Sequence, residues 1–342
     1  MADFTNEWQQ FLAQQGISAT DAAQTAVPGA DFVAPLTHLG LIAINGEDAA
    51  RFLHSQLTND VESLGATEAR LAGYCSPKGR LQATLLMWRQ GDEVLLQVPR
   101  DIQAAFQERL QMFVLRAKAK LRDASEEYAV LGLSGDAAAQ VLGTWFGEMP
   151  AAPYGKAQSD AGTLIRVADA DGSPRFQWIA PPAAAIAAWP TLVKALAVTA
   201  PKAWRLAEIH AGLPMVVQAT HEQFVPQMIN FELIGGVNFK KGCYPGQEIV
   251  ARSQYLGKLK RRMLPASIPG AAVHAGMEVF AGDEPEQPCG MVVNAENSGP
   301  DRFDCLVEIK MASLETGSVH LGAADGPPLQ FLPLPYALPD PT

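Results

Sequence analysis

Apolar positions near the start of the chain follow helical spacing and then extended spacing. Phe4, Trp8 and Leu12 recur on one face before Gly16, which predicts a short amphipathic helix over residues 4–16. Alanine, glycine and proline then dominate to about residue 30, so we interpret residues 1–30 as a leader. From Ala34 the apolar residues become strand-like as far as Asn45-Gly46, and a helix is predicted over residues 47–57.

A β-hairpin is predicted next, because two apolar runs flank a tight turn. The runs cover residues 71–75 and 81–88, and the turn is Ser76-Pro77-Lys78-Gly79, with the residues that a type I turn favours. Apolar spacing further predicts a strand over 94–98, a helix over 101–113 and a strand over 114–121. Residues 34–122 are therefore predicted to form an α+β sheet with helices on one side.

The same alternation of strands and helices continues in the middle of the chain. Strands are predicted over 128–133, 164–167 and 176–179, with helices over 136–146 and from 180 to about 198. A helix over 203–214 follows. After residue 262 the texture changes to short β-like segments over 273–280, 290–294, 303–309 and 318–321, broken by proline and glycine, which predicts a small barrel or sandwich.

These patterns predict an α+β fold of several parts. Residues 31–124 together with 202–260 are assigned to a first α+β domain, 125–201 to a second, and 261–342 to a C-terminal β-barrel. A chain of 342 residues normally divides in this way, because single cores stop growing at about 250–300 residues. Its composition, 48% hydrophobic and 18% charged, is that of a folded globular protein.

The N-terminal residues, the most apolar stretch and the cysteines and histidines limit the possible location and chemistry of the protein. Residues 1–8 lack the basic and apolar regions of a secretory signal, and prolines interrupt the most apolar stretch, 178–200, so we expect a cytoplasmic protein without a membrane span. The four cysteines form no C-x-x-C pair and the six histidines no local ligand pair, so no metal site is predicted. Free thiols are expected.

Charge is unevenly distributed along the chain. The net charge is −10, yet residues 240–262 contain seven lysines and arginines against the single acid Glu248. This asymmetry predicts either an anionic partner, such as a carboxylate-bearing small molecule or a phosphate backbone, or a solvated basic face.

The densest group of special residues lies within this basic stretch, at Lys240-Lys241-Gly242-Cys243-Tyr244-Pro245-Gly246-Gln247-Glu248. Two glycines and a proline restrict the loop to few backbone shapes. A thiol displayed between cations is a candidate reactive site, because positive charge favours the thiolate. The alternative is a tight strand-to-helix turn with a small buried cysteine.

This segment resembles a known family. Lys241-Gly242-Cys243-Tyr244 followed by Gly246-Gln247-Glu248 matches the K-G-C-[FY]-x-G-Q-E motif of the YgfZ folate-binding proteins, relatives of the glycine-cleavage aminomethyltransferases. Supporting matches are residues 56–61, 76–80 and 235–239. The resemblance implies two ferredoxin-like α+β units around a central folate cavity, plus a C-terminal β-barrel. It also implies tetrahydrofolate, or a one-carbon derivative, as cofactor, iron–sulfur enzymes as clients, and an indirect link to tRNA, with no role at DNA.

The resemblance also implies site residues. Cys243 is predicted as the functional thiol, and Trp204 as a folate contact, the alternative for Trp204 being a core anchor. Leu39 replaces a second tryptophan of the family, and His210 stands where relatives often carry Glu. The remaining predicted cofactor-binding residues are Asp60, Lys241, Tyr244, Gln247, Glu248 and Arg252, with Lys78 and Arg80 as secondary candidates for the cavity wall.

Aminomethyltransferases carry an acidic pair shortly after the hairpin glycine, and here those positions hold Gln82 and Ala83. Whether this chain is an enzyme therefore stays open. The leading hypothesis is a folate-dependent accessory protein for iron–sulfur enzymes. The alternatives are a folate-dependent one-carbon transferase, a cysteine hydrolase that pairs Cys243 with His210 or His221, and an RNA or protein docking module that uses Lys258, Lys260, Arg261 and Arg262.

Overall fold

A computed structural model describes residues 7–17, 31–256 and 259–339. Its helices are α1 Glu7–Gln14, α2 Ala49–His54, α3 Arg100–Val114, α4 Asp136–Leu142, α5 Pro182–Ala195, α6 Pro201–His210, α7 Gln247–Tyr255 and α8 Ser313–Thr316. Its strands are β1 Phe32–Pro35, β2 Leu39–Asn45, β3 Ala69–Cys75, β4 Leu81–Gln90, β5 Glu93–Pro99, β6 Lys120–Asp123, β7 Ala129–Ser134, β8 Lys156–Ser159, β9 Gly162–Ala170, β10 Ser173–Ala180, β11 Ala197–Val198, β12 Arg261–Pro269, β13 Glu278–Ala281, β14 Pro288–Gly299, β15 Arg302–Lys310, β16 Val319–Leu321 and β17 Gln330–Phe331.

These strands form three sheets. The first has the order β3-β4-β5-β2-β6, the second β11-β1-β7-β10-β9-β8, and the third, at the C-terminus, β16-β13-β14-β15-β12-β17. The predicted α+β class, with two α+β units and a curled C-terminal β part, is confirmed.

The first two sheets share a core, which explains why their strands are apolar on both faces. One face of the first sheet packs against α2 and α3, where Phe52, Ile102 and Phe106 are buried. The opposite face supplies Leu86 and Trp88 to a cluster that also contains residues of the second sheet and Trp204 of α6. A sheet that is covered on both faces needs strands that are apolar at nearly every position. β4 is such a strand.

Several predicted boundaries differ from the structure. The predicted first domain began at residue 31, yet β1 pairs with β7 and β11 in the second sheet. The strand predicted over 114–121 is displaced to β6, because α3 continues to Val114 and residues 115–118 form a turn and a bend before the strand begins. Sequence reasoning missed β8, β11, β12 and β17. Part of the predicted leader forms α1, whose Trp8 packs edge-on against Trp189 of α5, whereas residues 18–30 lie outside the described ranges.

The predicted hairpin is confirmed, and it supports the motif loop. The Gly79 amide donates to the Ser76 carbonyl at 2.8 Å, which closes the turn between β3 and β4. Gly246, just before α7, has φ +80° and lies directly on this turn. A Cβ at Gly246 would be 2.4 Å from Ser76 O and 2.7 Å from Gly79 Cα. The loop can therefore seat on the hairpin only with glycine at this position.

Substitution of Gly246 tests this packing. Gly246→Ala is expected to lower the free energy of unfolding by about 3 kcal/mol, because a left-handed conformation and a steric clash are combined. The matched control is Gly235→Ala, where φ is +85° but nothing lies within 4 Å of the added Cβ. This control is expected to lose only about 1 kcal/mol. Urea denaturation measures both values, and equal losses would contradict the close approach.

Candidate functional site: a central cavity and an exposed thiol loop

Two adjoining pockets, here called the inner and the outer chamber, lie where the first two sheets meet the segment after α6. The inner chamber has a volume of about 70 Å³ and apolar walls that include Leu39, Leu86 and Phe231. The outer chamber has a volume of about 380 Å³ and is lined in part by His38, Arg100, Arg205 and His274. The two chambers share the wall residues Pro99, Glu208, Leu213 and Met215.

Polar groups without partners line the inner chamber. Within the described part of the chain, Gln97 Nε2, Gln177 Oε1 and the Tyr154 hydroxyl are buried and have no hydrogen-bond partner. An unsatisfied buried polar group costs about 1–3 kcal/mol, so three around one small chamber are an unusual concentration. They form a ready set of donors and acceptors for a flat polar ligand.

Glu208 lies between the two chambers and is part of a buried charged cluster. Its carboxylate accepts a hydrogen bond from Trp204 Nε1 at 3.0 Å. Burial raises the pKa of Glu208, and the Arg175 guanidinium opposes this shift. Arg175 stacks on the Trp204 ring at 4.7 Å, donates from Nε to the Ala168 carbonyl at 2.9 Å, and is fully buried.

Trp204, the predicted folate contact, is not among the residues that line the two chambers. Its side chain is 0% exposed and is packed between Gly132 and Arg175, behind Glu208. Leu39, at the position of the family's second tryptophan, does line the inner chamber. His210 stands where relatives often carry a glutamate. In this chain a carboxylate does line the chamber, but it belongs to Glu208, two residues earlier.

A larger cavity of about 540 Å³ beside α1 differs in character. Its polar wall residues bond to one another, since Gln9 donates to Glu126 at 3.3 Å and Arg100 donates to Glu126 at 3.1 Å. A cavity whose polar groups are already paired offers less to a polar ligand than the inner chamber does.

The motif loop presents its thiol on the surface. Cys243 is exposed, whereas Cys75, Cys289 and Cys305 are buried. Burial raises the pKa of Cys75 to about 12 and also that of Cys305 to about 12, so these thiols stay protonated at neutral pH. The alternative of a buried Cys243 is wrong. The loop is also not a strand-to-helix turn, because the residues directly before it, 231–239, form turns and irregular structure.

Lys241 fastens this loop to the end of α2. Its ammonium group donates to the carbonyls of His54 and Leu57 and lies 4.9 Å from the centre of the Tyr244 ring. Burial lowers the pKa of Lys241 to about 8, so the group is still mostly charged at pH 7. Tyr244 is itself buried, and its burial raises the pKa of its hydroxyl. Both residues hold the backbone on which Cys243 is displayed.

Asp60 is paired with a histidine that sequence reasoning missed. His54 Nδ1 lies 3.0 Å from Asp60 Oδ1, and the Asp60 carboxylate also accepts hydrogen bonds from the Ser63 amide and hydroxyl. These bonds, opposed by burial, hold the pKa of Asp60 below its usual range. The six-residue spacing of His54 and Asp60 across a helix end carries no recognisable signal in the sequence.

The other predicted cofactor-binding residues lie on α7. Glu248 and Arg252 are exposed on this helix and Gln247 is half-buried at its start. Residues lining the two chambers include none of Asp60, Lys241, Tyr244, Gln247, Glu248 and Arg252. A folate contact by these six residues therefore stays a prediction. Of the secondary candidates, Lys78 is exposed on the hairpin turn, and Arg80 donates to the Gln223 carbonyl.

The positions of the transferase acids lie on β4. Gln82 and Ala83 are both buried, and Gln82 Nε2 donates to Glu222 Oε1 at 2.5 Å. Neither side chain can carry the charge that an acidic pair would supply.

The predicted basic surface is smaller than its sequence suggests. Arg261 donates to both carboxylate oxygens of Glu308, and Arg262 is buried with Glu232 at 2.5 Å. Lys258 lies outside the described residues. Two of the four cations assigned to an RNA or protein docking surface are thus engaged within the fold.

His210 joins α6 to two other elements. Its Nδ1 lies 2.7 Å from Asp171 Oδ2, after β9, and its Nε2 lies 2.9 Å from Asp304 Oδ2 in β15. The pKa of His210 is raised, because these carboxylates outweigh its burial. With both ring nitrogens occupied, His210 cannot serve as a base for Cys243. His221 lines a separate pocket with Tyr74 and Gln82.

Across residues 7–17, 31–256 and 259–339, no helix has the length and apolarity that a bilayer crossing requires. The same ranges contain no cluster of three His, Cys, Asp or Glu side chains that could hold a metal ion.

The His210 pairs predict a pH dependence of stability. A raised folded pKa means that the contribution of protonated His210 is fully present below its unfolded pKa of about 6.5 and is lost as pH rises through the folded pKa. The difference in unfolding free energy between the wild type and His210→Gln should therefore fall above pH 6.5, by on the order of 1 kcal/mol. Denaturant titrations from pH 5.5 to 9 measure this difference. Other titrating groups, such as Lys241, contribute equally to both proteins, so their contributions cancel in this difference. A difference that does not change with pH would contradict the assignment.

Comparisons with known proteins agree with this architecture. A model of the GCVT N-terminal domain matches residues 7–167. The chain is 30% identical over 302 residues to the tRNA-modifying protein YgfZ of Enterobacter sp. (strain 638), covering 87% of this chain and 91% of that protein. It is 33% identical over 236 residues to YgfZ of Edwardsiella ictaluri (strain 93-146), covering 67% and 70%.

Among solved structures, the glycine cleavage system aminomethyltransferase T from Bartonella henselae superposes with a TM-score of 0.73. It is 18% identical and covers 91% of this chain and 88% of that one. At this identity the likeness concerns the fold alone. The relatives matched over most of their length, together with the K-G-C-Y-x-G-Q-E motif on its exposed loop, show that this chain belongs to the YgfZ family.

Proposed function

We propose that this protein binds tetrahydrofolate or a one-carbon derivative in the central cavity and supports iron–sulfur enzymes, including tRNA-modifying ones, through the thiol of Cys243. The observation that carries the folate proposal is the group of unpaired buried polar atoms around the inner chamber. The tRNA link rests on the relatives, which are named tRNA-modifying proteins, and the iron–sulfur role rests on the family resemblance.

The side chains present fit a reduced pterin in their chemistry, and the inner chamber of about 70 Å³ would have to widen to admit its two rings. A pterin ring carries amide and amino groups at its edge, which can satisfy the Gln97 donor, the Gln177 acceptor and the Tyr154 hydroxyl. Glu208 adds an acceptor at the junction of the chambers, while Leu39 and Phe231 supply apolar surface. Binding would thus remove several unsatisfied groups at once, which is a strong source of both affinity and selectivity.

The outer chamber fits the remainder of a folate. Arg100 and Arg205 lie in its wall, where they are paired with Glu126 and Glu296. The anionic glutamate carboxylates of a folate would have to share these guanidinium groups with the two acids. His38 lines the same chamber, and burial together with Arg205 lowers the pKa of His38 to about 3, so that its ring is neutral. When bound, the folate would supply one-carbon or redox chemistry, and these residues would orient it.

The transferase alternative is less well supported. Its fold is present, but the positions that carry the acidic pair hold Gln82 and Ala83, which cannot place a charge beside a folate nitrogen. An accessory role that uses the inherited cavity, with chemistry at an exposed thiol, agrees better with these residues.

The cavity assignment predicts which substitutions weaken folate binding. Gln97→Leu and Gln177→Leu should each raise the Kd for tetrahydrofolate about tenfold, because each removes a hydrogen bond worth about 1–3 kcal/mol in a buried site. Isothermal titration calorimetry under anaerobic conditions measures the change. The matched control is Gln158→Leu, an exposed glutamine outside both chambers, which should bind as the wild type does. An unchanged Kd for both cavity variants would refute the assignment.

The thiol assignment predicts a separation of functions. Cys243→Ser should abolish complementation of a strain that lacks this protein, while folate binding and Tm stay unchanged, because the side chain is exposed and lies on a loop outside the chambers. Cys289→Ser is the control, since its buried thiol has no proposed chemical role. Retained activity in Cys243→Ser at equal protein abundance would exclude a functional thiol.

A further inference from the structure

We propose that His54, oriented by Asp60, is the base that takes the thiol proton of Cys243. The inference deepens the proposed function, because it rests on Cys243 as the functional thiol and assigns the groups that activate it. His54 would act on the thiol and Asp60 would be a positioning residue.

The first observation is the orientation of the imidazole. Nδ1 of His54 lies 3.0 Å from Asp60 Oδ1, and an ionised carboxylate can only accept a hydrogen bond. Nδ1 therefore carries the proton, and Nε2 of the neutral ring is left as an acceptor. Asp60 is in turn fixed by the Ser63 amide at 3.1 Å and the Ser63 hydroxyl at 2.6 Å. The same relation between an acid and an imidazole operates in Ser-His-Asp and Cys-His enzymes.

The second observation is where this free nitrogen lies. A Cβ built on Gly242 would be 3.5 Å from His54 Nε2 and 3.9 Å from Cδ2, so the ring edge faces the backbone immediately before Cys243. Lys241, on the other side of Gly242, donates to the His54 carbonyl itself. The loop that carries the thiol is thus attached to the residue that carries the imidazole. A Cβ at residue 242 would stand in ordinary van der Waals contact with the imidazole.

Charged groups lie around both His54 and the loop that carries Cys243. Asp60 Oδ1 and Glu62 Oε2 lie 3.0 Å and 3.9 Å from His54 Nδ1 and place negative charge beside the ring. The Lys241 ammonium interacts electrostatically with Cys243. Arg70, which donates to the Asp60 carbonyl and to Ser63, holds the same turn in place. An imidazolium beside acids and a thiolate beside an ammonium are each stabilised by opposite charge.

The step itself is a proton transfer. The S–H bond of Cys243 breaks, its electron pair stays on sulfur, and a new N–H bond forms at His54 Nε2. The product is a thiolate beside an imidazolium, with no change in total charge or oxidation state. Such a thiolate reacts with soft electrophiles, such as an activated sulfur or carbon centre, more readily than a thiol does.

Alkylation kinetics test this assignment without any folate or client protein. The full-length protein is treated with excess iodoacetamide from pH 6 to 10, and modification of the Cys243 peptide is followed by mass spectrometry. The other three thiols are buried and serve as internal references. At pH 7 His54→Gln should react about tenfold more slowly than the wild type, with a smaller loss in Asp60→Asn. At pH 10 the rates should converge, because every exposed thiol is then ionised.

The matched control is Glu62→Gln, a more distant and more exposed acid, which should change the rate at pH 7 less than Asp60→Asn does. A wild-type pH profile in His54→Gln would overturn the inference. A loss that persists undiminished at pH 10 would also overturn it, because it would reflect access to the thiol and not its ionisation. Complementation by Cys243→Ser remains a separate test: if that variant is active, the proposed thiol function fails whatever the alkylation profile shows.

Discussion

The packing of the first two sheets against each other is the constraint on which the rest of the structure depends. Leu86 and Trp88 from one sheet and Ile165 and Ile179 from the other belong to a single buried cluster. Such a core normally fills its space at crystal-like density, so a remaining gap has a cause. Here the gap is the inner chamber, and the unpaired amides of Gln97 and Gln177 lie at its wall.

Helix α6 connects this core to the remaining parts of the molecule. Trp204 closes one side of the core, Glu208 reaches the cavity, and Arg205 bonds to Glu296 of β14 at 2.6 Å. His210 at the end of the helix links Asp171 with Asp304. One helix therefore ties the cavity wall to the C-terminal sheet, and a shift of α6 would alter the cavity and this interface together.

The thiol loop is supported independently of the cavity. Lys241 attaches its first half to the end of α2, and Gly246 seats its second half on the hairpin turn. Cys243 is exposed between these two attachments. A fixed backbone with an accessible thiol is what a reactive cysteine requires, and the proposed folate binding and thiol chemistry would use separate groups of residues.

The sequence by itself determined the local elements, the α+β class and the motif loop. Helical and alternating apolar spacing identified α3 and the β3–β4 hairpin, and the K-G-C-Y-x-G-Q-E motif identified the family, because these signals are local in the chain. Only the tertiary structure decided which sheet receives β1, that Trp204 is fully buried, and that Arg261 and Arg262 are engaged in ion pairs. It also brought His54 and Asp60 to a loop almost 200 positions away, through the carbonyls that Lys241 binds. Partners at such separations are chosen by packing and by the need to satisfy buried polar groups, and neither leaves a periodic trace in the sequence.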